Sequence, residues 1–456
     1  MFLPRPARPA RSARSAHPAH PPRRRARLAG AAAVLAACLL ATAAPAQAAP
    51  PHAAPAPTTT SQHPLDRTAL AASLDAVHAA GMYGAGASVR DGGQVWVGAT
   101  GVADTGTGRP MRPGMQHRVG SVTKAFTSVA VLQQVAAGRI DLDAPIARYL
   151  PATVPGERGR AITVRMLLNH TSGIGDYVLG AFPSLQQLST KSLDDNRFRH
   201  FRPAELARLG LQAAPTGKPG EKWSYSNTNY VIAGMLLRKV TGEDAEDYIT
   251  HHVIEKARLR HTYFPRSPYI AGPHPRMYES FYGLIDPPRD YSVYDMSWAG
   301  TAGALVSTTS DLEDFYRALL RGQLLPAAQL HEMQTTVPVL DADGRVAMRY
   351  GLGIYAVDLP CGRFWGHDGA VFGAGTSVLS SPDGGRQAAL GFNLMKYQKL
   401  RDDGTLEPSP IDAAIGAFTL KALCGTGPQD RAGASAAPST VLPRAQDLAP
   451  ALPPRY

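Results

Sequence analysis

The sequence predicts an α+β domain in which one antiparallel sheet, built from the N- and C-terminal parts of the chain, is flanked by terminal helices and joined to a mainly helical lobe. Three observations predict it. Short alternating strands bracket turn signals near the start, at Asp91-Gly92-Gly93, and again near the end, at Pro382-Asp383-Gly384-Gly385. The stretch between them, to about residue 330, carries helical periodicity interrupted by long loops. Amphipathic segments stand outside the strands at both ends, over 65–80 and 411–423.

In chain order, residues 1–46 read as a signal peptide. A basic stretch to Arg27 precedes an apolar run to about Ala44, and Ala44-Pro45-Ala46 and Ala46-Gln47-Ala48 suit signal peptidase. The run is short and alanine-rich for a bilayer span, so no membrane span is expected and export is. Leu35-Ala36-Ala37-Cys38 resembles a lipobox, which would leave a lipid anchor on Cys38. Apolar Leu39 and Leu40 continue past it and favour a secreted or cell-wall-associated protein. Arg24-Arg25 is a weaker twin-arginine hint. The net charge of +11 does not indicate a nucleic-acid partner, because eight arginines and no acid lie in this leader and leave with it.

Residues 47–64, rich in Ala, Pro and Thr, form a flexible lead-in, and 426–456 a disordered tail. The expected domain spans 65–425. Its first helix carries Leu70, Leu74, Val77 and His78 near one face, followed by strands over 85–90 and 94–100. A short strand over 116–119 then leads into Ser121. The next helix turns Val122, Phe126, Val129 and Leu132 inward and stops near Gly138. Helices follow over 163–169, 203–211, 229–240, 245–257, 311–320 and 327–334, with the proline- and aromatic-rich 268–288 as a loop over the site. Strands return over 348–357, 363–367, 376–380 and 387–393. A cleft between sheet and lobe is the natural ligand site, and Ser121 sits where the chain passes from one to the other. Outside the leader only Cys361 and Cys424 remain, either as one disulfide of an exported chain or as two buried thiols.

Three clusters carry chemistry. In Gly120-Ser121-Val122-Thr123-Lys124, helical spacing puts an amine beside a hydroxyl. Serine needs a base to become a nucleophile, and lysine serves only if burial or cationic neighbours lower its pKa. The Ser121 backbone N–H would face a developing oxyanion. Ser-x-x-Lys is short, but Lys124 is the only lysine with a serine three residues before it. In Tyr225-Ser226-Asn227 an extended loop puts a phenol and an amide on one side. A phenol beside cationic Lys124 would have a lowered pKa and share proton transfer, while Asn227 would bond Lys124 and a substrate carbonyl. In Trp365-Gly366-His367-Asp368-Gly369-Ala370, Gly369 would admit a substrate backbone, His367 would donate to Tyr225 or to substrate, and the Ala370 N–H would complete the oxyanion hole.

In this order the three clusters resemble the motifs of serine penicillin-recognising enzymes, and within them the class C beta-lactamase and secreted D-alanyl-D-alanine carboxypeptidase family. Arg118-Val119, Leu168-Asn169-His170-Thr171-Ser172-Gly173, Ala302-Gly303-Ala304 and Tyr350-Gly351-Leu352-Gly353 fit too. The resemblance implies the beta-lactamase/transpeptidase-like fold, an acyl-enzyme on Ser121, Trp298 in the pocket, a Cys361–Cys424 disulfide, and no metal or organic cofactor. It also implies peptidoglycan peptides as substrates and beta-lactams as acylating ligands. Two residues depart from the pattern: Tyr355 replaces an arginine that binds the substrate carboxylate, and Asp368 replaces a Thr or Ser after His367. An acid there repels a carboxylate, which keeps an esterase, beta-lactamase or D-aminopeptidase in view beside the carboxypeptidase.

Overall fold

The computed structural model describes residues 65–425 apart from 342 and 402–404. The expectations for the signal peptide, Cys38, the lead-in and the tail lie outside the described residues. A nine-stranded antiparallel sheet runs from the edge strand Arg109–Pro110 through Gln94–Asp104, Gly84–Asp91, Arg386–Phe392, Ala374–Ser380, Gly362–Val371, Tyr355–Leu359 and Val346–Tyr350 to Val337–Leu340. N- and C-terminal segments meet inside it, at its third and fourth strands, where Gly84–Asp91 pairs with Arg386–Phe392.

Strand alternation divides the core in two. On one face Ala85, Ala87 and Val89 pack with Leu70, Leu74 and Val77 of helix Arg67–Ala79 and with Ile411, Ile415 and Phe418 of helix Pro410–Cys424. Local signals start both helices: Asp66 accepts from the Ala69 N–H, while Ser409 accepts from the Ile411 N–H ahead of a proline in the first turn. On the other face Val378 and Ala389 belong to the core of the helical lobe, which contains Phe126 and Phe315 stacked at 3.7 Å. Helix Thr123–Ala136 is buried over nearly its whole length, so the Ser121 turn is anchored in the centre of the domain. Among the described residues no helix is long and apolar enough to cross a membrane.

Several boundaries differ from the sequence reading. The single strand over 348–357 is two strands, Val346–Tyr350 and Tyr355–Leu359, because the chain turns back through Gly353 at φ +78°. The helix over 245–257 ends as α-helix at Ile249 and continues as one π-helical turn, Thr250–Ile254. The 268–288 segment is mostly loop but holds the short strand Tyr278–Glu279, paired with Leu394–Met395. Cys361 and Cys424 are disulfide-bonded with Cα atoms 5.4 Å apart, which joins the hairpin before Gly362–Val371 to the end of the last helix.

Candidate active site

Ser121 lies in a 3-10 turn, Gly120–Val122, that runs directly into helix Thr123–Ala136. Lys124, one turn on, puts its Nζ 3.0 Å from Ser121 Oγ. The same Nζ lies 2.8 Å from Asn227 Oδ1 and 2.8 Å from the Ala302 carbonyl. The Tyr225 hydroxyl donates to Ser121 Oγ from the other side at 2.6 Å. The hydroxyl of Ser121 is thus held between an amine three residues on and a phenol 104 residues away in sequence. Asn227 is not on an extended loop as the sequence suggested. Ser226 has extended backbone angles and Asn227 opens helix Asn227–Thr241, so the helix start aims its amide at Lys124.

Burial sets the proton affinities. Lys124 is fully buried, which lowers its amine from 10.5 to about 7 against the opposing charges of Asp176 and Asp368. The expected lowering of Tyr225 is not found. Its phenol is raised well above 10, because desolvation outweighs the hydrogen bond with Ser121, and Asp368 and Asp176 add to the rise. Tyr225 is therefore a neutral donor at this site.

The strand Gly362–Val371 passes beside the Ser121 turn. A Cβ on Gly369 would lie 1.9 Å from the Val119 carbonyl and 3.0 Å from Ser121 N, and one on Gly120 would lie 2.7 Å from Ala370 N. Gly369 thus accommodates the chain's own backbone rather than a substrate. The close approach brings the Ser121 and Ala370 amides to one seam. His367 does not reach Tyr225. It is fully buried, its Nδ1 donates to the Asp368 carbonyl, and its Nε2 pairs with the Tyr350 hydroxyl at 2.9 Å. Burial lowers it to about 3, so it stays neutral.

Asp368 is 1% exposed and Tyr355 3%, so both are buried, as Ser121 and Tyr225 are. The Tyr355 ring is 5.5 Å from that of His367. Trp298 is buried against Phe182 and Phe372, its carbonyl accepts from the Tyr177 hydroxyl, and no partner is found for its indole N–H. Three participants were given no role in the sequence reading, although His170 and Ala302 lie in stretches that carried the resemblance. The Ala302 carbonyl is backbone and leaves no side-chain signal. His170 packs its ring 4.4 Å from that of Tyr225 and is lowered by burial. Asp176 accepts from both nitrogens of Asn227, and lies three residues past the Gly173 that ends the His170 stretch.

A serine held by a buried lysine and a tyrosine, at the seam of an antiparallel sheet and a helical lobe, is the arrangement of the beta-lactamase and penicillin-binding class of proteins. The family described as Beta-lactamase matches residues 68–407, and the chain belongs to that family. Esterase EstB of Burkholderia gladioli is 36% identical over 189 residues, 39% of this chain and 47% of that protein. Putative penicillin-binding protein PbpX of Bacillus subtilis (strain 168) is 27% identical over 277 residues, 60% of this chain and 62% of that protein. The chain therefore spans about half to three-fifths of these relatives. The crystal structure of a D-stereospecific amidohydrolase from Streptomyces sp. superposes with a TM-score of 0.69 at 35% identity, covering 79% of this chain and all of that one.

Proposed function

We propose that the protein is an exported serine hydrolase that cleaves amide or ester bonds next to a D-residue through an acyl-enzyme on Ser121. The observation that carries it is the Ser121 hydroxyl held between Lys124 Nζ at 3.0 Å and the Tyr225 hydroxyl at 2.6 Å. Neutral Lys124 takes the serine proton, Ser121 attacks the carbonyl, and the Ser121 and Ala370 amides receive the developing oxyanion. Tyr225, protonated throughout the neutral range, hands a proton to the leaving group and is restored from Lys124. Water then repeats the sequence on the acyl-enzyme. The likeness to the D-stereospecific amidohydrolase supports D-configured substrates, and the Cys361–Cys424 disulfide supports an oxidising compartment.

The order of the three motifs supports a second reading of the same site, a D-alanyl-D-alanine carboxypeptidase acting on peptidoglycan peptides and acylated by beta-lactams. Asp368 and Tyr355, where a carboxylate-binding pair would stand, favour substrates without a carboxylate at the leaving group. Turnover of a D-aminoacyl amide, a short p-nitrophenyl ester and a D-Ala-D-Ala peptide, beside labelling by a fluorescent penicillin, separates the two. The first reading expects amide and ester hydrolysis with slow peptide cleavage. Rapid D-Ala release with a lasting penicillin adduct on Ser121 establishes the carboxypeptidase. Ser121→Ala should abolish turnover in both, and an active Ser121→Ala overturns the assignment of the nucleophile.

A further inference from the structure

The reaction requires Lys124 to face Ser121 with a lone pair and not an N–H, and the inference here rests on that serine-hydrolase reading. A neutral amine has two N–H groups and one lone pair. Of the three oxygens around Nζ, Asn227 Oδ1 and the Ala302 carbonyl can only accept, while the Ser121 hydroxyl can also donate. The two N–H groups therefore go to Asn227 and Ala302, and the lone pair is left for Ser121. This holds only while Asn227 presents its oxygen. Turned over, the amide would aim an N–H at the lysine lone pair and consume it.

Asp176 decides which way the amide stands. Its Oδ2 accepts from Asn227 Nδ2 at 2.9 Å and from the Asn227 backbone N at 2.8 Å, and its Oδ1 accepts from the Val178 N–H at 2.9 Å. All three donors are N–H groups, so both carboxylate oxygens are needed as acceptors, and a flipped amide would set oxygen against oxygen. The neighbour Tyr177 anchors the loop, its N–H donating to Thr228 Oγ1 and its hydroxyl to the Trp298 carbonyl. We infer that Asp176 is a positioning residue that fixes the Asn227 amide with its oxygen toward Lys124 and thereby aims the lysine lone pair at Ser121.

The charge of Asp176 adds a signature that a merely structural residue lacks. The groups facing Lys124 are Asp176, Asp368 and His367 of strand Gly362–Val371, His170, Tyr225, and Tyr230 of helix Asn227–Thr241. Both histidines are held neutral by burial and both phenols stay protonated, so the two carboxylates are the charges that favour the protonated amine. Asp176 in turn faces Lys124, Tyr225 and Tyr177. Removing its charge lowers the Lys124 pKa and moves the acid limb of kcat/KM to lower pH.

The test is the pH profile of p-nitrophenyl ester hydrolysis by the wild type, Asp176→Asn, Asp176→Glu and Ser121→Ala. An asparagine at 176 can offer an acceptor to Val178 or to Asn227 but not to both. Asp176→Asn should lose about 100-fold in kcat/KM, with its acid limb at lower pH. Asp176→Glu restores the charge without the position, so its limb should return toward the wild type while the rate stays low. A rate within a few-fold of wild type, or a lowered rate with the Asp176→Asn limb unmoved, overturns the inference. The limb midpoint does not depend on how much of a variant is folded. An active Ser121→Ala would instead overturn the assignment of Ser121 as the nucleophile, on which the inference rests.

Discussion

Lys124 and Tyr225 touch the same hydroxyl, yet burial moves their proton affinities in opposite directions, because it disfavours the charged form of each. The amine falls to about 7 and the phenol rises well above 10. On the proposed mechanism these affinities suit the amine to accept the proton and the phenol to donate one. The sign of the pH dependence follows: the active amine is the neutral one, so kcat/KM for an ester should rise with pH through a limb near 7. Lys124→Arg keeps the positive charge but cannot release a proton. It should lower kcat/KM by about 10²- to 10⁴-fold, the range for loss of a general base, and remove that limb. A Lys124→Arg enzyme with the wild-type profile would show that the base lies elsewhere.

The strand Gly362–Val371 and the turn Gly120–Val122 form the site together, and glycines on both permit their contact. A Cβ at Gly369 would meet the Val119 carbonyl at 1.9 Å, backbone against backbone, so one element must shift. Gly369→Ala should cost about 1–3 kcal/mol, the usual penalty of overpacking, and should lower turnover by more than stability predicts, since the displaced element carries Ser121. Gly93, in the hairpin turn after Gly84–Asp91, has nothing within 4 Å of the same added atom. Gly93→Ala should leave both melting temperature and turnover near wild type. Comparing the two variants by thermal melting and ester hydrolysis checks the argument, and equal effects would refute it.

Across the whole molecule the sheet is made of strands from both ends of the chain, with the lobe inserted between them. The Cys361–Cys424 bond closes a separation of 63 residues between the sheet and the last helix. A closed loop of that size is worth about 4 kcal/mol on the chain-entropy account. Replacing both cysteines by serine should lower unfolding stability by that order in denaturant titration. Catalysis by the folded fraction should be kept, since Cys361 lies at the far end of the strand from Ala370.

Much of this was legible in the sequence. Alternation and helical periodicity placed the strands at both ends, the helices between them and the buried helix after Ser121, because those patterns record which face of each element is apolar. Ser121 and Lys124 were legible because one helical turn brings them together. Only the tertiary structure decided the rest. Tyr225 reads as an activated phenolate from its charged neighbour, whereas enclosure by the fold makes it a neutral donor. His367 turns to Tyr350 instead of Tyr225, and the Ala302 carbonyl and Asp176 meet Lys124 and Asn227 from 178 and 51 residues away. The physical reason is that periodicity and local spacing are properties of a segment, while desolvation and the direction of a hydrogen bond depend on which distant segments close around it.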